Sequence, residues 1–135
     1  MKLIVCIDDA GGMLFNKRRQ SSDKRVIDSI LSLVRENKLR VNPYTAALFP
    51  DDERLVIDEE SLSNAQIGEY CFVENVDVMC YIPLAEQIIL YRWNRKYPSD
   101  LCFPLAALED GWKLLSSEDF AGNSHERITM EVYMR

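Results

Sequence analysis

The chain of 135 residues contains a single histidine and no cysteine pair in CxxC spacing. One histidine cannot build the histidine-rich dinuclear zinc site of a ribonuclease Z-type nuclease, which excludes that activity. A Ser/His/Asp or Cys/His relay would have to use His125, and nothing upstream of it reads as an activated nucleophile, so a turn residue is expected there. The four cysteines, Cys6, Cys71, Cys80 and Cys102, lack the close ligand pairs zinc requires and are expected to be mainly buried free thiols; no metal site is predicted.

Long hydrophobic runs are missing as well. None approaches the ~20 residues of a membrane span. The N-terminal MKLIVCIDD has too short an apolar core for a secretory signal, so a cytoplasmic, bacterial-type protein is expected. Positive charge is in deficit: Lys and Arg number 16 against 22 Asp and Glu, for a net charge of −6. Counterion release needs a basic surface, so nucleic acid is a poor candidate partner. Gly11-Gly12 precedes neither GK[ST] nor GxGxxG, which argues against a phosphate cradle and for a turn after the first strand. There is no repeat, low-complexity tract or Gly/Ser linker, so residues 1–135 read as one domain.

What is present alternates between strand and helix. Leu3 to Ile7 is a continuous apolar run suited to a central strand. Ser21-Ser22-Asp23 opens a helix in which Val26, Ile27, Ile30, Leu31, Leu33 and Val34 recur at helical spacing, with a serine as the natural N-cap. Short strands are expected at Leu39–Val41 and Leu55–Ile57, with a brief helix over Tyr44–Phe49 between them. Two β-rich segments, Glu69–Val73 and Ile88–Trp93, flank an apolar helical stretch from Val76 to Tyr81. Trp112–Ser116 forms a further strand, and RITMEVYMR alternates with period two, as a half-buried antiparallel strand does. The pattern predicts an α/β domain whose mixed sheet closes on an antiparallel C-terminal edge.

Three other clusters carry chemical interest. Lys17, Arg18, Arg19, Lys24 and Arg25 crowd around one acid, Asp23, and offer an anion or a protein partner a basic loop; an exposed charged loop is the simpler account. Arg92-Trp93-Asn94-Arg95-Lys96-Tyr97 interleaves base and aromatic as single-strand binders do, but reads first as a strand running into a surface loop. The acids Asp8-Asp9, Asp51-Asp52-Glu53 and Asp58-Glu59-Glu60 lie at strand ends and are expected to be solvated turns.

From Ile88 onward the chain resembles the C-terminal part of bacterial dihydrofolate reductase. The shared marks are a strand, Asp100-x-x-Phe103-Pro104, Trp112, Asn123-Ser124-His125 and a closing strand ending in Arg135. Upstream, FVENVDVMCYIPLAEQIILY is similar to that family's strand, turn, helix and next strand, with Pro83 and Ala85 in register. Leu3–Ile7 resembles its first strand, and Gly12-Met13 the start of its mobile active-site loop.

The resemblance implies a dihydrofolate-reductase-like fold with flanking helices. It puts Asp23 where the family has its active-site acid, a carboxyl that hydrogen-bonds a pterin ring and aids its protonation. Cys6, Ile27, Phe72 and Tyr91 would line that pocket, and Thr45 would stand at a cofactor-phosphate helix. Without the resemblance, Asp23 is a first-turn acid of a helix, favoured there by ~0.3–1 kcal/mol.

The chain departs from the family where NADPH would lie. Glu74-Asn75 replaces a Gly pair that lets backbone approach phosphate, and a carboxylate there repels pyrophosphate by roughly 1–4 kcal/mol. The basic residue before Thr45 is missing, and the span from Val41 to Glu69 is short, so the nucleotide half is reduced. NADPH binding is therefore doubtful. The leading expectation is a divergent or non-catalytic binder of a pterin- or nucleotide-like small molecule. The alternatives are a divergent NAD(P)H-dependent reductase with Asp23 as acid, and an interaction module using Lys17–Arg25.

Overall fold

The computed structural model describes residues Met1–Arg135. The run KLIVCI forms β1 (Lys2–Ile7). Leu3, Val5 and Ile7 enter one hydrophobic core while Ile4 enters the other, on the opposite face. Because both faces are covered, the run is continuous rather than alternating.

The chain then turns at Gly11, where φ is +85°, a conformation open to glycine. Asp8 holds this turn: its Oδ1 accepts the amides of Ala10 and Gly12, and its Oδ2 accepts that of Tyr97. The expectation of a solvated acid is wrong at Asp8, which is buried because its carboxylate is consumed by backbone donors.

The basic stretch is a hairpin rather than a loop. It consists of β2 (Gly12–Phe15) and β3 (Arg18–Arg19). The turn residues Asn16 and Lys17 both have positive φ, 51° and 61°, matching the twist of a two-residue hairpin.

The first long helix, α1 (Lys24–Val34), buries Val26, Ile27, Ile30 and Val34 against the sheet. Its N-cap is Asp23 and not a serine: the carboxylate accepts the amide of Arg25 at 2.9 Å. Truncating the wholly buried Ile30 to alanine would cost about 3 kcal/mol.

Next come β4 (Leu39–Val41), α2 (Pro43–Ala46), β5 (Leu55–Ile57), α3 (Ser61–Asn64) and β6 (Tyr70–Phe72). The brief helix expected over Tyr44–Phe49 starts one residue earlier, since Asn42 caps it and Pro43 suits its first turn, and it ends at Ala46 rather than Phe49. The helix expected over Val76–Tyr81 is displaced to a 3-10 helix at Met79–Leu84. Pro83 lies inside it and lacks the N–H that an α-helix would use.

The remaining strands are β7 (Gln87–Arg92), β8 (Leu101–Cys102), β9 (Lys113–Phe120) and β10 (Ile128–Met134). The strand expected over Trp112–Ser116 runs on to Phe120. Residues Lys113–Asp119 are all exposed, so no burial pattern marks its extent.

The main sheet has seven strands in the order β5-β4-β6-β1-β7-β10-β9, and β3-β2-β8 form a small second sheet. β5, β4, β6, β1 and β7 run parallel, while β10 is antiparallel to both β7 and β9. The mixed α/β sheet and its antiparallel C-terminal edge are as expected from the sequence. No helix is long and apolar enough to cross a membrane.

The cysteine expectation holds only in part. Cys71 is buried and Cys6 half-buried, but Cys80 and Cys102 are exposed. Both sit in apolar stretches whose neighbours, Ile82 and Phe103, take the inward positions instead.

Candidate functional site

In open α/β sheets, ligands bind outside the carboxyl ends of parallel strands. Here those ends deliver Cys6 from β1, Asn42 and Thr45 just after β4, Val73 and Glu74 after β6, and Trp93 after β7. The segment Ser21–Asp23, leading into α1, lies across them. Among them lies a small cavity of about 10 Å³, room for one water, walled by Cys6, Val26, Ile27, Leu48, Phe72 and Trp93 with Ser21, Ser22, Asp23 and Glu74 as its polar members. A larger groove of about 310 Å³ opens beside it, between α1 and Leu48–Pro50. The two share Ser22, Asp23, Ile27 and Leu48.

Asp23 is the most heavily engaged side chain of the site and has no exposed side-chain surface. Its oxygens accept the amides of Arg25, Asn123 and Ser124, the Ser124 hydroxyl, and His125 Nδ1 at 2.9 Å. Burial pushes its pKa up, but the amides of Asn123, Ser124 and Arg25 and the His125 ring outweigh that. The carboxyl is held well below its usual range.

The loop that supplies these donors closes over Asp23 because residue 122 is glycine. A Cβ there would lie 2.6 Å from Asp23 Oδ2 and 2.7 Å from the His125 carbonyl.

His125 is not a plain turn residue. It is buried, its ring stacks on Trp93 at 4.6 Å between centroids, and its Nε2 faces Ser21 Oγ at 2.8 Å and the Tyr97 hydroxyl at 3.3 Å. Sequence reasoning missed this partnership, since 102 positions separate it from Asp23. The one available signal was Asn123-Ser124-His125 itself. Trp93 and Tyr97 are thereby turned inward, so Arg92–Tyr97 does not present an aromatic strip to solvent.

The second polar centre is Glu74. It is buried, takes Arg19 in a two-pronged ion pair (Nε to Oε2, 2.6 Å; Nη2 to Oε1, 2.9 Å), and accepts the Thr45 hydroxyl at 2.8 Å. Arg19 also lies 4.5 Å over the Tyr44 ring, and its pairing with Glu74 raises its pKa. Asn42 and Asn75 complete the cluster through a 2.8 Å amide contact. Burial, reinforced by the Glu74 charge, pushes the Cys6 thiol well above its ordinary pKa and keeps it protonated.

Among the residues singled out from the sequence, the structure brings Cys6, Asp23, Ile27 and Phe72 together. Tyr91 shares their face of the sheet but stands apart from the cavity: its hydroxyl bonds Ser29 at 2.8 Å and its ring meets Phe120 edge-on. Thr45 lies within α2 and donates its hydroxyl to Glu74. The basic cluster is divided, with Arg19 turned inward while Lys17, Arg18, Lys24 and Arg25 stay exposed.

No family model matches the chain, and no curated protein sequence does. Among solved structures it is similar to dihydrofolate reductase from Enterococcus faecalis, complexed with NADP(H) and RAB-propyl. That similarity has a TM-score of 0.68 at 14% identity and covers 99% of this chain and 95% of that one. The fold is dihydrofolate-reductase-like. At this identity the likeness speaks for the architecture alone, and the chemistry rests on the residues described above.

Proposed function

We propose that the chain is a small-molecule-binding protein that uses the groove between α1 and Leu48–Pro50, with Asp23 at its inner end. The groove carries this reading: at about 310 Å³ it has the size of a small-molecule site. Ile27 and Leu48 give it apolar walls, Asp28 gives it an acceptor and Lys24 a donor. A flat nitrogen heterocycle of the pterin or nucleobase kind matches such walls and polar groups.

Two observations speak against NADP(H)-dependent reduction. A carboxylate and its guanidinium partner occupy the turn after β6, where close backbone approach to a pyrophosphate would be needed, so the residues do not fit that group. Asp23 is also held ionised by donors from its own chain, the opposite of what a proton-donating acid requires.

Thermal denaturation tests this reading. Pterin or nucleobase ligands at about 100-fold over their Kd stabilise by about 2.7 kcal/mol and raise Tm by several degrees. NADPH and NADH at millimolar concentration leave Tm unchanged, and Leu48→Arg removes the heterocycle's effect. A rise with NADPH that persists in Leu48→Arg would overturn the proposal.

A further inference from the structure

We propose that Ser21, His125 and Asp23 form a serine-hydrolase relay beside the inner end of this groove, acting on carboxylic esters of uncharged alcohols. The proposal rests on the groove reading for where the alcohol lies and goes beyond it in assigning a reaction.

The geometry is that of a nucleophile, a base and an orienting acid. Ser21 Oγ lies 2.8 Å from His125 Nε2, and His125 Nδ1 lies 2.9 Å from Asp23 Oδ2. An ionised Asp23 accepts from Nδ1–H, which leaves the Nε2 lone pair to receive the Ser21 proton. The ring cannot swing away, because Trp93 stacks on it. Asp23 is a positioning residue, while Ser21 and His125 handle the reacting atoms.

Ser21 is dispensable for holding the loop. Asn123, Ser124 and His125 are all anchored on Asp23, and the Ser21 hydroxyl makes no hydrogen bond other than that to His125. The amides of Ser21 and Ser22 have no intramolecular acceptor, and the relay requires one of them as donor to the developing oxyanion.

The surroundings narrow the substrate. Ser21, which is half-buried, lines the 10 Å³ cavity; that cavity has room for one water and not for an acyl group, so the ester reaches the Ser21 hydroxyl from outside it, with the alcohol toward the 310 Å³ groove that begins at Ser22. Lys24 and Asp28 line the groove together, while Glu74 and Asp23 are occupied by Arg19 and by the donors of the 123–125 loop, which suits an uncharged alcohol.

In the reaction, Ser21 Oγ bonds to the ester carbonyl carbon as its proton passes to Nε2. Collapse of the tetrahedral adduct breaks the bond to the alcohol oxygen, which leaves with the proton from Nε2. A water, deprotonated by Nε2, then adds to the acyl carbon. The bond to Ser21 breaks, and its oxygen recovers the proton. Ester and water become acid and alcohol, with no redox change.

The test is diisopropyl fluorophosphate labelling of the full chain, read by intact mass and peptide mapping, beside 4-nitrophenyl acetate hydrolysis. The adduct is expected on Ser21, and Ser21→Ala is expected to lower hydrolysis by roughly 10²-fold or more at unchanged Tm. His125→Gln is expected to slow labelling by a similar factor. Should that variant unfold, Ser21→Cys gives a second measure: its thiol reacts with iodoacetamide faster than the exposed Cys80 and Cys102.

No adduct on Ser21, with hydrolysis unchanged in Ser21→Ala, overturns the relay. A heterocycle-induced Tm rise without Ser21 labelling overturns the relay and keeps the groove. Labelling undiminished in Leu48→Arg, with no ligand raising Tm, supports the relay and overturns the groove reading.

Discussion

Asp23 and Glu74 are both buried carboxylates at the carboxyl ends of parallel strands, yet their charges are balanced by different means. Asp23 is met mostly by backbone amides and a ring nitrogen, contributed by α1 and by the loop before β10. Glu74 is met by side chains alone, the Arg19 guanidinium and the Thr45 hydroxyl. Backbone donors remain whichever side chain is replaced, so the Asp23 seat demands an acceptor. The Glu74 seat is a pair whose members can be removed together. One seat is built into the fold, and the other is filled by the sequence.

The largest effects expected are at Asp23 and Arg19. Asp23→Ala removes the N-cap and takes the acceptor from the amides of Asn123 and Ser124 and from the buried His125 ring, for a loss of about 3 kcal/mol in urea denaturation. No second substitution nearby should restore it. Arg19→Leu leaves Glu74 buried without its cation and costs about 3 kcal/mol, whereas Arg19→Leu with Glu74→Leu regains most of that loss. A double variant as unstable as the single one would erase the distinction between the seats.

Gly122→Ala forces a methyl against Asp23 Oδ2 and costs about 2 kcal/mol, read as a lower Tm with the 122–125 loop opened to proteolysis. The pH dependence gives a smaller effect. Asp23 has a folded-state pKa below its unfolded one. Its stabilisation is therefore complete above about pH 5 and fades as pH falls through the carboxylate range. Asp23→Asn should flatten that part of the stability–pH curve.

The legible parts of the molecule were those with local signals. The β1 run, the alternation of β10 and the apolar face of α1 each advertise burial within a few residues, and the family resemblance supplied their order. The resemblance singled out Asp23 together with Cys6, Ile27 and Phe72, and the structure brings these four to one cavity. The resemblance grouped Tyr91 with them as well, but the structure keeps it on their face of the sheet and away from the cavity, bonded to Ser29.

The rest depended on contacts across long stretches of sequence. Arg19 meets Glu74 across 55 positions, so the loss of a Gly pair was visible but not what filled its place. The hairpin at Asn16-Lys17 was hidden because lysine is an uncommon occupant of a positive-φ turn position. His125 looked like a turn residue because it is in one; its chemistry comes from Ser21, Asp23 and Trp93, none of them nearby in the chain.

The anchoring of Asp23 also sets an order of events during synthesis. Its bond to Arg25 can form as soon as α1 does, but the amides of Asn123 and Ser124 lie 100 and 101 residues further on. At about 5–20 residues per second, a ribosome takes roughly 5–20 s to deliver them. Over that interval the first helix waits half-capped, and β1 waits for neighbours that start at Tyr70 and Gln87. The nascent chain therefore secures its first helix only once Asn123 and Ser124 have been added, and a stop codon placed before Asn123 would yield a polypeptide with the strands up to β9 and a first helix capped from one side alone.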